Sequence, residues 1–149
     1  MIQLPHEFSE FLRSLNSKGV RYLLIGGYAV IYHGYARSTG DMDVWIDLDP
    51  ENAARVSEAL IDFGFAPQSV PREMFLEANK VFRFGREPMR IELLNQPSGV
   101  NFHECFQERL IDVVGGVEVP IISLERLRQN KQASGRDKDL TDLRRLPQA

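Results

Sequence analysis

The sequence predicts an α/β (α+β) fold, a mixed β-sheet with helices packed on it and a helical C-terminus. Two observations carry this reading. Stretches with an apolar period near 3.6 alternate with short apolar runs in the first half of the chain. In the second half, glycine-containing turns join pairs of strand-like runs. The resulting order, α-β-α-β-α-β-β-β-β-α-α, implies helices layered on a mixed sheet. No internal repeat and no linker rich in Gly, Pro and Ser divides the chain, so residues 1–149 are expected to form one domain.

The elements follow in order. Phe8, Phe11, Leu12 and Leu15 recur at i, i+3, i+4 and i+7, which predicts a helix over 6–17 stopped by Gly19. Residues 22–25 form a short apolar run that fits a buried strand, ended by Gly26-Gly27. A short helix is expected from Tyr28 to about His33, then a polar loop from Gly34 to Gly40. Val44 and Ile46 alternate with Asp43, Trp45 and Asp47, so 42–47 reads as a strand with two unlike faces. Asp49-Pro50 starts the next helix, with Asp as cap and Pro in the first position. That helix should run to about Asp62 and bury Ala53, Val56, Leu60 and Phe63.

Residues 66–79, with two prolines and mixed polarity, give no clear element. Strands over 81–84 and 89–94, joined through Gly85–Pro88, form a hairpin; 110–114 and 117–119, joined through Gly115-Gly116, form another. Ser123 caps a helix carrying Leu124 and Leu127 that ends near Gly135. Asp137 caps a last helix with Leu140, Leu143 and Leu146 on one side.

Composition excludes several classes. The chain has 43% apolar residues and a formal net charge of −3, which argues against general disorder and against a coat of basic residues for nucleic acid. No run of 18 apolar residues is present, so no membrane span is expected, and the N-terminus does not read as a secretory signal. A lone cysteine, Cys105, permits no internal disulfide and fits the reducing cytoplasm. His6, His33 and His103 lack metal-ligand spacing.

The chemistry concentrates between Gly26 and Val44. Asp41 and Asp43 stand two apart at a strand, so both point to one side with Cα atoms about 6.6 Å apart. Their repulsion is roughly 2.5 kcal/mol at an effective dielectric of 20. Water and salt offset it if the pair is exposed; a divalent cation offsets it if the pair is partly buried. Glu92 sits between Ile91 and Leu93, which turns it to the opposite face from both. A charge there is explained if that face lines a cleft. Asp41, Asp43 and Glu92 would then hold Mg²⁺ (or Mn²⁺) for phosphoryl-group transfer.

Gly26-Gly27, between a strand and a helix, lets the backbone approach a phosphate. Arg37 can neutralise a phosphate with two hydrogen bonds, and Ser38 and Thr39 add hydroxyls. From Glu125 to Arg145 seven Lys/Arg stand against four Asp/Glu. Lys131, Arg136 and Lys138 in this stretch are candidates to hold a triphosphate tail. Each group also has an ordinary role. The acids could be solvated, Lys131, Arg136, Lys138 and Asp139 could form ion pairs at a helix end, and Tyr28 and Tyr32 could pack on the sheet. Trp45 shares a face with Asp43, which places it at the cleft border or in the core.

Gly26-Gly27 followed after thirteen residues by Asp41-Met-Asp43-Val44 resembles the signature of the DNA polymerase β-like nucleotidyltransferase superfamily. That signature is a Gly-Gly or Gly-Ser pair, then Asp-x-Asp or Asp-x-Glu, then a third acid on a later strand. A closer likeness is to small bacterial and archaeal proteins with Gly-Gly-Tyr-Ala, Arg-x-Thr-x-Asp-x-Asp and a C-terminal Lys-x-x-x-Gly-Arg-x-Lys-Asp-x-x-Asp. These are minimal nucleotidyltransferases of the AbiEii-toxin-like type. The last motif here reads Lys131-Gln-Ala-Ser-Gly-Arg136-Asp-Lys138-Asp139-Leu-Thr-Asp142, and the likeness spans about residues 20–146.

The resemblance implies a polymerase β-like core and metal-dependent transfer of a nucleoside monophosphate from a nucleoside triphosphate. It implies Asp41, Asp43 and Glu92 as metal ligands and Lys131 as a phosphate contact. Glu92 stands where the family usually has Asp, one methylene shorter. The acceptor is left open among RNA (tRNA included), a protein or a small molecule. Three rival readings remain: an inactive nucleotide- or partner-binding module, a toxin paired with an antitoxin, and an interaction domain whose acids are surface decoration.

Overall fold

Phe8, Phe11, Leu12 and Leu15 are completely buried on a helix spanning His6–Ser17 (α1) of the computed structural model, which describes residues 2–148. The strand Tyr22–Ile25 (β1) runs directly into the helix Gly26–Tyr32 (α2). Gly26-Gly27 therefore form the first turn of α2 and do not precede a helix beginning at Tyr28. The strand Asp41–Ile46 (β2) leads to the helix Pro50–Phe63 (α3), whose cap is Asp49 accepting from the Asn52 amide at 3.1 Å. Ala53, Val56 and Leu60 are buried as expected, but Phe63 is 37% exposed. It ends the helix beside Gly64, and its ring only edges the core through Phe11 and Phe84.

Residues 66–79 contain two 3₁₀ turns, Pro67–Ser69 and Arg72–Leu76, and the second packs on α3 through buried Phe75. The expected hairpin forms from Val81–Phe84 (β3) and Arg90–Leu94 (β4). A short helix over Phe102–Gln107 (α4), capped by Asn101, follows where none was expected. The second hairpin joins Leu110–Val114 (β5) to Val117–Ile121 (β6). Helices Leu124–Ser134 (α5) and Asp137–Arg145 (α6) complete the chain, with Gly135 in the left-handed conformation between them.

Two details of the C-terminal pair differ from expectation. The N-cap position of α6 is Arg136, and Asp137 is its first helical residue. The cap is made by Asp139, whose carboxylate accepts the Arg136 amide at 3.3 Å. Leu146 is buried, but Leu140 and Leu143 are only partly so, and the fully buried side of α6 carries Asp139 and Asp142.

The strands form one six-stranded mixed sheet in the order β3-β4-β2-β1-β6-β5. β2 runs parallel to β4 and antiparallel to β1, while β1 runs parallel to β6. Met42, Val44 and Ile46 of β2, with Ile91 and Leu93 of β4, face the core covered by α1 and α3. Asn52 fastens α3 to two strand ends: it accepts from the Arg21 amide at 2.7 Å and donates to the Arg21 and Asp47 carbonyls. The alternation of side chains then turns Asp41, Asp43 and Glu92 to the other face, which α2, α5 and α6 border.

Candidate functional site

The register of β2 on β4 assembles the site. Asp43 lies opposite Glu92, and Asp41 lies opposite Arg90. On the far side of β4, Arg83 of β3 lies opposite Glu92. Arg83, Glu92 and Asp43 therefore form a row across three strands, with the Asp41–Arg90 pair beside it. One oxygen from each of Asp41, Asp43 and Glu92 lies within 4.8 Å of the others. The three acids that sequence reasoning singled out thus meet at one point. It lies in a cleft of about 980 Å³, large enough for a nucleotide.

The three carboxylates are not equivalent. Asp41 receives two hydrogen bonds from the Arg90 guanidinium, at 2.8 and 3.1 Å. Glu92 Oε1 receives Arg83 Nε at 2.8 Å and lies 3.6 Å from Arg90 Nε. Asp43 has no such partner among the described residues, and its buried Oδ1 accepts no hydrogen bond from them. Burial first, and then the charges of Glu92 and Asp41, push the Asp43 carboxyl up to about 7; Lys131 and Lys138 pull it partly back. A buried carboxylate oxygen without a donor is costly, and three hard oxygen ligands at this spacing suit Mg²⁺ or Mn²⁺. The residues present therefore fit a divalent cation.

The two glycines fit closely against this machinery. Gly26 has φ +66°, and a Cβ there would lie only 2.9 Å from Asp43 Cγ. A Cβ on Gly27 would lie 2.8 Å from Thr39 Cβ and 3.3 Å from an Arg37 nitrogen. The pair lets α2 pass tightly over the carboxylate strand and the loop before it. Thr39 donates its hydroxyl to the Asp41 carbonyl at 3.1 Å, which fixes the entry to β2.

The C-terminal motif forms a second charged cluster on the cleft wall. Lys131 is buried and donates to Asp139 Oδ1 at 3.2 Å, and its Nζ is 3.0 Å from Asp142 Oδ2. Arg37 grips both oxygens of Asp142 at 2.8 and 2.9 Å, so the loop before β2 is clamped to α6. Arg136 Nε donates to Asp139 Oδ2 at 2.7 Å. Burial acts to raise the carboxyls of Asp139 and Asp142, but bonds from Arg136, Ser134 and Lys131 to the first, and from Arg37 and Lys131 to the second, outweigh it and hold both low. Lys138 is exposed at the cleft rim. Of the expected phosphate contacts, Lys131, Arg37 and Arg136 are thus engaged with aspartates, and Lys138 makes no such bond among the described residues.

Several other readings are settled by position. Trp45 is buried and donates to the Asn95 carbonyl at 3.2 Å. Tyr28 is buried with its ring edge-on to Phe8, and Tyr35 lines the cleft. Cys105 is buried in the core. The site residues that sequence reasoning missed are Arg83 and Arg90. Their signal was present: Arg90 stands two residues before Glu92 on the same strand, and Arg83 faces Glu92 across a hairpin. No helix among the described residues is long and apolar enough to cross a membrane.

Residues 1–146 match the family described as nucleotidyltransferase of unknown function, DUF6036. Among solved structures, the fold is similar to that of a candidate nucleotidyltransferase from Thermotoga maritima. The two are 15% identical over 92% of this chain and 88% of that one, with a TM-score of 0.60, so the likeness is one of fold. No curated protein matches the sequence.

Proposed function

This chain belongs to the family of nucleotidyltransferases of unknown function, DUF6036, and from that premise we propose that it transfers a nucleoside monophosphate from a nucleoside triphosphate to an acceptor in a metal-dependent reaction. The observation that carries the reading is the unpartnered, buried Oδ1 of Asp43 at the centre of three converging carboxylates. Asp41, Asp43 and Glu92 would hold Mg²⁺ or Mn²⁺. The ion would supply charge neutralisation at the triphosphate oxygens and orientation of the reacting phosphorus.

The protein's own groups do the rest. Gly26 and Gly27 hold α2 against Asp43 and Thr39, so the cleft floor stays open to a phosphate chain. Lys138 at the rim, and Lys131 behind it, offset the charge of departing pyrophosphate. An acceptor hydroxyl attacks the α-phosphorus, the bond to the β-phosphate bridging oxygen breaks, and pyrophosphate leaves. The Arg83 hydrogen bond falls on Oε1 of Glu92, which leaves Oε2 to take the hydroxyl proton.

The test is label transfer from α-labelled triphosphates with Mg²⁺ or Mn²⁺, using pools of RNA, protein and small-molecule acceptors. The proposal expects label on an acceptor, release of pyrophosphate and loss of both in the Asp41→Ala, Asp43→Ala double variant. Transfer that persists in the double variant contradicts it. A second reading, an inactive nucleotide-binding module, draws on the arginines that already occupy two of the three acids. Tight triphosphate binding without turnover in any acceptor pool would favour it.

A further inference from the structure

We propose that Arg90 is a movable counter-cation that holds Asp41 in the metal-free protein and yields it to the incoming divalent ion. The inference rests on the metal-site reading above and assigns Arg90 a positioning role in it. Three features support an exchange. The Arg90 guanidinium binds both oxygens of Asp41, so it competes for lone pairs that a cation needs. It also carries its positive charge 3.6 Å from Glu92 Oε1, an oxygen of a second acid in the same cluster. A guanidinium and a divalent ion that close to one another repel strongly, so both cannot keep these positions.

The side chain also has somewhere to go. Nη2 of Arg90 already donates to Glu87 Oε1 at 3.0 Å, and Glu87 is 63% exposed at the cleft edge beside Gly40. A small rotation about the Arg90 side chain keeps the Glu87 bond while releasing Asp41. Arg90 itself is 32% exposed and lines the open cleft. Arg83, by contrast, bonds Glu92 through Oε1 only and leaves Asp41 and Asp43 untouched.

The released guanidinium remains in the cleft, where the negative charge of a triphosphate attracts it. Metal and nucleotide should therefore bind with positive coupling beyond their direct contact, because each favours the position of Arg90 that the other needs.

A support for Asp41 and a competitor for Asp41 predict opposite signs. Loss of a residue that merely orients a ligand weakens metal binding about 10–100-fold. Removal of a competitor tightens it. The experiment is Mn²⁺ titration of the full chain without nucleotide, read by electron paramagnetic resonance of free Mn²⁺. Arg90→Gln is expected to bind Mn²⁺ roughly 5- to 10-fold more tightly than the unaltered protein, and Glu87→Gln, which removes the alternative partner, more weakly. A non-hydrolysable triphosphate should raise Mn²⁺ affinity less in Arg90→Gln than in the unaltered chain. Equal or weaker Mn²⁺ binding by Arg90→Gln, with unchanged circular dichroism, overturns the proposal. If neither protein takes up Mn²⁺ with or without the triphosphate, the metal-site reading has failed and this inference falls with it. Binding by the unaltered chain with no gain in the variant sinks the inference alone.

Discussion

Two clusters of charge face the same cleft and have opposite construction. In the wall formed by α5 and α6, Lys131, Arg37 and Arg136 meet Asp139 and Asp142, and every buried charge has a partner within 3.2 Å. On the sheet, Asp41, Asp43 and Glu92 crowd together, and Asp43 has a buried oxygen with no donor among the described residues. The first cluster is closed and holds the structure together. The second is open and keeps an unmet demand for positive charge. Charge density alone does not distinguish a site from a brace; the completeness of pairing does.

The sharpest way to break this contrast is to remove one member from each. Asp43→Asn should abolish nucleotidyl transfer, a loss above about 100-fold, since even groups behind a metal ligand are worth 10–100-fold. The variant should remain folded by circular dichroism. A transfer rate within a few-fold of the unaltered protein would place Asp43 outside the chemistry. Asp142→Ala should act on stability. It takes the carboxylate from Arg37 and leaves Lys131 with Asp139 alone, and is expected to cost about 3 kcal/mol, the low end for breaking a buried pair. Chemical denaturation measures this, and a loss below about 1 kcal/mol would show that the brace is dispensable.

The clusters should also differ in sign with pH. Asp43 has its pKa raised from 3.8 to about 7, so the folded protein holds a proton there that the unfolded chain has lost. Stability of the metal-free protein should therefore fall as pH rises from about 4 to 7. Asp43→Asn should remove that slope and be more stable than the unaltered chain at pH 8, by on the order of 2–4 kcal/mol. Asp139 and Asp142, held low, contribute stability that is present above their unfolded value of 3.8 and is lost only in stronger acid. Urea denaturation across pH, without divalent ions, checks both. A flat profile between pH 4 and 8 would contradict the isolation of Asp43.

A smaller effect is expected at the junction of backbone and site. Gly26→Ala should cost about 1–3 kcal/mol, because its positive φ disfavours a side chain and the new methyl group would crowd the Asp43 carboxylate. Thermal melting should show the loss, and Mn²⁺ affinity should drop with it. An unaffected melting temperature would mean that α2 is free to shift.

Much of the open cluster was legible in the sequence, because strand alternation is a rigid rule. Asp41 and Asp43 had to share a face, and Glu92 had to oppose Ile91 and Leu93. The same rule applied to Arg90 would have placed it among the acids. Its role was hidden because the parallel register that sets Asp41 against Arg90 is fixed by strand order, which sequence alone does not supply. The closed cluster was legible only in part, for a related reason. Lys131 and Arg136 read either as contacts for a triphosphate tail or as members of ion pairs at a helix end, and only the packing of α5 on α6 shows how Asp139 and Asp142 lie between them.

The helices with strong stripes, α1 and α3, emerged nearly residue for residue. The weak or short elements did not. α4 has six residues, too few for a periodic signal, although its Asn101 cap stood in plain view. The apolar stripe expected on α6 is only half buried, because Asp139 and Asp142, paired with cations, occupy the inner side instead.

The most direct test of the open cluster is a crystal structure of the protein soaked with Mn²⁺ and a non-hydrolysable triphosphate. The account predicts anomalous density bonded to oxygens of Asp41, Asp43 and Glu92 at about 2.1 Å, with the phosphate chain lying toward Gly26. Density that avoids Asp43, or a triphosphate bound elsewhere with the three carboxylates unchanged, would contradict it.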